Sequence, residues 1–569
     1  MNKKHGQRII VENIPIFNIL DAEKTELEIM KNKILYITLL LITTSGVLAQ
    51  NNIPGQLHGN FQVDMQTHTA DSVIGAPEVP EKMLMNSYAN LNYTLGNFQA
   101  GIRYEGYFNA LQGFDKRYDG AGIPYRYVTY ASEKLEITAG NFYDQFGSGL
   151  IYRAYEDKSL GIDNALDGIR IKYRPYRGIY IKGMAGRQRL YFYYGPGIVR
   201  GIDGEFMLNE IFKRYDTSKV RLALGGSFVS KYQQDLDPVY KLPENTGASA
   251  GRFNLLIDKF AISGEYAYKI NDPSADNGYI YKPGNALLIN TSYSRKGLGI
   301  LLTVKRIDNM SFRSDRNASL NDLHINFIPP TTKTHTYSLL SMYPYATQIN
   351  GEAGIQGEIF YRIKKKSKAG GKYGTLDSLN YSAVRSLKTT PRYDGTGYEP
   401  DFFAAGDELY FQDINIKINR KINKKLKLIL AYMNLIYNYN VIRGVAGKDK
   451  VYADIGVLDA TYKIKPLKAI RSEIQFLFTE QDIGSWASAL LEYSIAPHWF
   501  FTVIDQYNYG NPEKEKKTHF FSVSTGYKNK ANRIQIGYGR QREGIICIGG
   551  VCRQVPASNG FMVSVTSSF

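Results

Sequence analysis

Arg153, Glu156, Asp157 and Asp163 put one guanidinium and three carboxylates into a short stretch, with Tyr155 and Asn164 beside them. Phe146-Gly147-Ser148-Gly149-Leu150 precedes them, and its glycines permit tight turns. Such a set suits a hydrogen-bonded charge network in a sheltered place, whereas on a surface loop the same charges would be solvated. It is not a phosphate-binding loop, because the Gly-x-Gly lacks a further glycine at the required spacing. A second segment, Ile328-Pro329-Pro330, Lys333, His335-Thr336-Tyr337 and Tyr343-Pro344-Tyr345-Ala346-Thr347-Gln348, is too proline-rich for a regular strand and too aromatic for a free loop. It should pack inside something. His335 is the best general-base candidate among the scattered histidines His58, His68, His324, His335, His498 and His519. No Ser-His-Asp spacing accompanies it, so it reads better as a hydrogen-bonded packing residue, and no catalytic residue is assigned. No metal, cofactor or nucleic-acid motif is present. The third segment, residues 542–559, holds the chain's two cysteines, Cys547 and Cys552, which in an oxidising compartment form a disulfide by default.

The elements that must position these groups show a period of two. Phe98, Ala100, Ile102, Tyr104 and Phe108 oppose Gln99, Arg103 and Glu105, while Val220, Leu222, Leu224 and Phe228 oppose Arg221 and Ser227. One face is fit for lipid and the other for water. With 45 Tyr, 27 Phe, 53 Gly and only 2 Trp, the composition is aromatic and glycine-punctuated. The mean hydropathy is -0.31, and after residue 50 no run reaches the ~20 apolar residues of a membrane helix, so any membrane residence must use strands. Long connections (67–83, 109–124, 270–285, 509–518) alternate with short ones (95–97, 132–134, 295–297, 528–531), which is the rhythm of extracellular loops and periplasmic turns. The predicted fold is all-β: a large antiparallel transmembrane barrel of 22–24 strands, with loops folded into its lumen. Twenty-three strands are recognisable, and even parity requires either one more within 308–351 or the removal of 352–361. The basic segment 362–405 reads as a solvated extracellular loop, or else as a contact for lipopolysaccharide phosphates or a protein.

The ends fit export. Met30-Lys-Asn-Lys, the apolar run Ile34–Ile42 and Val47-Leu48-Ala49 form a signal peptide, expected to be cleaved after Ala49. Residues 1–29 then read as an upstream extension from a misassigned start, 30–49 as the signal peptide and 50–569 as the barrel. The net charge of +17 becomes +16 on processing, and in an exported chain this suggests lipopolysaccharide, outer-membrane lipids or anionic solutes as partners rather than nucleic acid. Alternating Phe561, Val563, Val565 and terminal Phe569 resemble the insertion signal read by the barrel-assembly machinery.

The Phe-Gly-Ser-Gly-Leu…Arg-x-Tyr-Glu…Leu-Gly-Ile-Asp-Asn-Ala-Leu, Ile-Pro-Pro…His-Thr-Tyr…Tyr-Pro-Tyr-Ala-Thr-Gln and Gly-Gly-Val-Cys-Arg-x-Val-Pro motifs together resemble a family of uncharacterised outer-membrane β-barrel proteins from Bacteroidota. The resemblance implies the barrel and its compartment, and it draws the first two segments inward. Two functions follow for such a barrel. Inward Arg103, Arg170, Lys172, Arg174, Arg221 and Arg471 would draw anions into a channel, unless they pair with residues such as Glu105 and Glu473. A lumen filled by its own loops points instead to a structural or assembly component with an envelope protein partner.

Overall fold

The computed structural model describes residues 55–569 apart from 395, 549 and 550, so the extension and the signal peptide lie outside the described residues. Twenty-four antiparallel strands, from Gln56–Thr67 to Ser558–Ser568, each pair with their sequence neighbour, and the last pairs with the first from Asn60↔Ser568 to Gln66↔Met562. The sheet is therefore a closed cylinder without edges. Its lipid face is the exposed apolar row that alternation predicts: Phe98, Ile102, Tyr104 and Phe108 are exposed while Arg103 and Glu105 are buried. A closed barrel with this exterior is an outer-membrane protein, since all backbone groups are satisfied between strands and the apolar band needs hydrocarbon around it.

The count of 24 is one of the two expected, but the extra strand is not where it is expected. Gly351–Ile363 does span, residues 309–350 contain no spanning strand, and the uncounted strand is Thr375–Pro391. It pairs with Tyr398–Lys421, a 24-residue strand whose upper part rises with its partner into a tall hairpin. Residues 362–405 are therefore no extracellular loop. They comprise a turn on the end of the barrel that carries both termini, one whole strand and the start of another. The rhythm of connections also has exceptions, because the outer turn at 191–192 is short and the inner-end connection 208–219 is long and partly helical.

Short turns at the end bearing the termini demand unusual backbone: Gly297, in the turn closed by the pair Arg295 and Leu298, has φ 84°, a region costly for residues with a Cβ. Closure rests on Gly59 and Phe569, whose amides donate to each other's carbonyls at 3.0 and 2.9 Å. The Phe569 ring lies where a Gly59 Cβ would stand, 2.3 Å away. Deleting Phe569 removes both bonds, and the yield of heat-modifiable barrel in the outer membrane is expected to fall several-fold; an unchanged yield would deny the residue any role in insertion.

Candidate functional site

The interior is organised by two long connections on the outer end, residues 143–165 and 309–350, both of which fold against inward-facing wall residues. The first insert turns on Gly147 and Gly149, at φ 52° and 97°, and buries Phe146, Leu150, Ile151 and Tyr152 against wall residues such as Val199, Val229, Ala250 and Ala267. A Cβ on Gly147 would meet the Glu265 carboxylate at 2.5 Å. That close approach lets Ser148 donate to Glu265 from both its amide and its hydroxyl, at 2.7 and 2.8 Å. Wall and insert are thus pinned at the tip.

Behind the tip lies the charge network. Arg103 bonds Glu105 at 2.7 Å, Glu156 at 3.0 Å and also Asp163, while Arg189 bonds Glu105 and Asp163 at 2.6 Å each and Tyr143 donates to Asp163 at 2.9 Å. Arg103, Arg189 and Glu105 are almost wholly buried. Carboxylate oxygens of Glu105, Glu156 and Asp163 come within 4.8 Å of one another, a spacing that a metal ion could use. Two guanidinium groups already compensate these three carboxylates, which makes the cluster a structural knot rather than a cation site. A second knot gathers Arg170, Lys172 and Lys182 around Asp144 at 3.4, 3.9 and 3.0 Å, with Glu136 bonded to Arg170 at 2.7 Å and Lys172 at 3.2 Å.

The other residues of this segment have separate roles. The Arg153 guanidinium stacks between the Tyr155 and Phe327 rings, at 4.5 and 4.1 Å, and so ties the first insert to the second. Asn164 bridges the same two segments: its amide donates to the carbonyls of Arg153 and His324 at 3.3 and 2.9 Å, and its Oδ1 accepts from the Tyr155 amide. Asp157 stands outside the network and caps the turn at Ser159 and Leu160. Burial pushes the His324 imidazole down to about 3, so it remains neutral where the inserts meet.

The second insert is held by two kinds of wall group. Its first half offers backbone carbonyls: Ser311 accepts from Lys269, His324 from Gln188 at 2.7 Å and Pro329 from Lys305 at 2.6 Å. Its second half offers side chains to carboxylates, all on wall strands except Asp482, which lies in the connection after Lys468–Phe478. Lys333 pairs with Glu358, His335 Nε2 lies 2.8 Å from Asp413, Tyr337 donates to Asp459 at 3.1 Å, Tyr343 to Asp482 at 3.1 Å and Tyr345 to Glu352 at 2.5 Å. Burial, then the neighbouring carboxylates, push the Tyr343 and Tyr345 hydroxyls well above the usual tyrosine range, so both stay protonated donors. Leu339, Leu340 and Met342 complete the arm among Met433, Leu435, Leu477 and Trp486. The hydrogen bond of His335 is thus the one to Asp413, and its neighbours are residues of the arm and the wall.

Arg471 bonds Asp459 at 3.0 Å and Glu473. Of the inward cations assigned to an anion-attracting lumen, Arg103, Arg170, Lys172 and Arg471 are all committed to carboxylates, and Arg174 lies 3.4 Å from Glu133 at the rim. Arg221 alone of these has no ion pair among the described residues, and it sits exposed near the end bearing the termini. Five of these six cations are thus paired with carboxylates. Cys547 and Cys552 are bonded across a short hairpin, Gly544–Ile548 with Val551–Val555. This hairpin folds onto the inserts: the Cys552 carbonyl accepts from Asn321 at 3.0 Å, and Ile545 and Cys547 cover a cavity of about 230 Å³ beside His335 and Tyr343. Arg189, Lys305, Glu352, Asp413 and Asp459 are anchors that sequence reasoning missed. Inward parity marks each of them, yet nothing in the sequence says what lies opposite.

Strands, closure and exterior define a large outer-membrane β-barrel whose lumen holds its own loops. Within that class the chain belongs to a family of unknown function, DUF6029, whose model matches residues 30–569. Comparison with curated proteins gives no match. Among solved structures the barrel is similar to the translocation pore of the P pilus usher PapC, at 10% identity over 90% of this chain and 99% of that one, with a TM-score of 0.44. It is also similar to the siderophore receptor PirA from Pseudomonas aeruginosa, at 10% identity over 91% and 81%, with a TM-score of 0.38.

Proposed function

We propose that this protein is a self-plugged barrel, closed at rest, that serves as a structural or docking component of the cell envelope. The observation supporting this reading is the fastening of the 309–350 insert to inward groups on seven of the twenty-four wall strands, from Gln188 and Lys269 through Lys305, Glu358, Asp413 and Asp459 to Gln475, which accepts from the Leu339 amide at 3.0 Å. An arm tied at so many points acts as a stopper. A resting anion channel is disfavoured because five of the six inward cations that would select anions, all but Arg221, are paired with carboxylates.

Planar-bilayer recording tests the reading. The purified barrel is expected to show no sustained conductance step, whereas a variant with 331–347 replaced by a short Gly-Ser link should show large steps while keeping its heat-modifiable mobility. Sustained steps from the unaltered protein, or silence from a folded deletion variant, would each overturn the closed-plug reading.

A further inference from the structure

The chain's charge is not spread around the molecule. Four turns on the end bearing both termini, at 295–296, 362–372, 420–427 and 463–468, together carry sixteen Lys and Arg residues and no Asp or Glu, against a net charge of +17 for the whole sequence. They join eight consecutive strands, Gly284–Arg295 to Lys468–Phe478, so at ~4.8 Å per strand they form one continuous arc on the order of 35 Å long. All sixteen side chains are exposed except Arg420 and Lys468, which are half-buried. None forms an ion pair with a described residue. In an outer-membrane barrel the end with short turns and both termini is periplasmic, so lipopolysaccharide on the opposite leaflet is out of reach of this arc.

From this we propose that the arc is a binding surface for anionic phospholipid headgroups of the periplasmic leaflet. Charge complementarity requires an anionic partner, and three features favour lipid over a protein or glycan. The cations stand at strand ends, where the lipid-facing row of the barrel meets water. Exposed apolar residues alternate with them in the same turns, Ile422 after Lys421, Ile464 between Lys463 and Lys465, and Leu467 before Lys468. Directly along the strands the outward row continues with exposed Tyr361, Leu430 and Tyr462, so the cationic arc is continuous with the hydrocarbon belt. Apolar side chains entering the acyl boundary, with lysines snorkelling to phosphate depth, are the pattern of an interfacial lipid-binding edge. The turn 364–374 is the longest of the four, and Lys421 stacks on its Tyr373 at 4.9 Å, which holds this lysine-rich turn beside the next one.

The test uses the full barrel in nanodiscs of mixed phosphatidylcholine and phosphatidylglycerol, with the lipids retained after extraction counted by native mass spectrometry. The unaltered protein should retain phosphatidylglycerol at roughly three- to tenfold above its bulk ratio, falling as salt is raised. A variant with Lys364, Lys365, Lys366, Lys368, Lys424 and Lys425 all changed to Gln should fall close to the bulk ratio, with heat-modifiable mobility showing that the barrel is intact. Bulk ratios for the unaltered protein, or undiminished enrichment in the variant, would overturn the proposal. So would an unchanged lipid ratio combined with loss, in the variant, of an acidic periplasmic protein or of co-sedimentation with purified sacculi, which would make the arc a protein or peptidoglycan dock instead.

Discussion

Changing Arg189 to Met should destabilise the first insert by about 3–5 kcal/mol, because it leaves buried carboxylates without their counter-charge. Arg189 bonds both Glu105 and Asp163, its side chain is 1% exposed, and Arg103 alone would then face Glu105, Glu156 and Asp163. The outward row of the same strands is untouched, so the barrel should keep its heat-modifiable mobility while residues 143–165 become open to protease and to hydrogen exchange. Arg189→Lys should fall between the two, retaining the charge but losing the two-pronged grip on Glu105. Unaltered protection of 143–165 in the methionine variant would show that apolar packing of Leu150, Ile151 and Tyr152 holds the insert unaided.

The barrel was legible because lipid on one side and polar contents on the other impose alternation on each strand, and alternation survives without any knowledge of neighbours. Thr375–Pro391 escaped for a local reason. Asp377 interrupts its outward row, leaving Leu379 and Tyr381 as the clear apolar positions, and the lysine-rich turn before it reads as loop. Inward packing of the two inserts was legible from content: Pro329-Pro330 forbids a strand, yet Tyr337, Leu339, Tyr343 and Tyr345 need burial. Their anchors were not legible, since Arg103 meets Asp163 across sixty residues and Tyr337 meets Asp459 across more than a hundred, and a period of two fixes the face but not the partner. The choice between the two readings of the inward cations stayed open for the same reason. Inward Arg103, Arg170 and Arg471 suit a selectivity lining or a paired wall equally well until their distances to Glu105, Glu136 and Glu473 are seen, while the largest group of unpaired cations lies in turns that alternation does not describe.

Lys305 and Glu352 offer the sharpest test of how the second insert is held, because they fasten both ends of its arm. Both side chains are fully buried and lie 2.5 Å apart; Lys305 also donates to the Pro329 carbonyl at 2.6 Å, and Glu352 accepts from the Tyr345 hydroxyl at 2.5 Å and the Gln348 amide at 2.7 Å. Lys305→Met should therefore cost about 3–5 kcal/mol, the consequence of leaving a buried carboxylate unpaired. Changing both residues to Met removes both charges, so the double variant should lose less than the sum of the two single losses, a favourable coupling of about 0.5–3 kcal/mol in a double-mutant cycle. Recovery should stop short of the native value, since the Pro329 carbonyl, the Tyr345 hydroxyl and the Gln348 amide each lose a partner at about 1–3 kcal/mol. The loosening should be confined to 329–348, measured by hydrogen exchange, because the first insert is held by the separate Arg103 and Arg189 network. Equal loosening of 143–165 would mean that the two inserts move as one body, in which case Arg153 between Tyr155 and Phe327, and not the wall, is what sets the position of the arm.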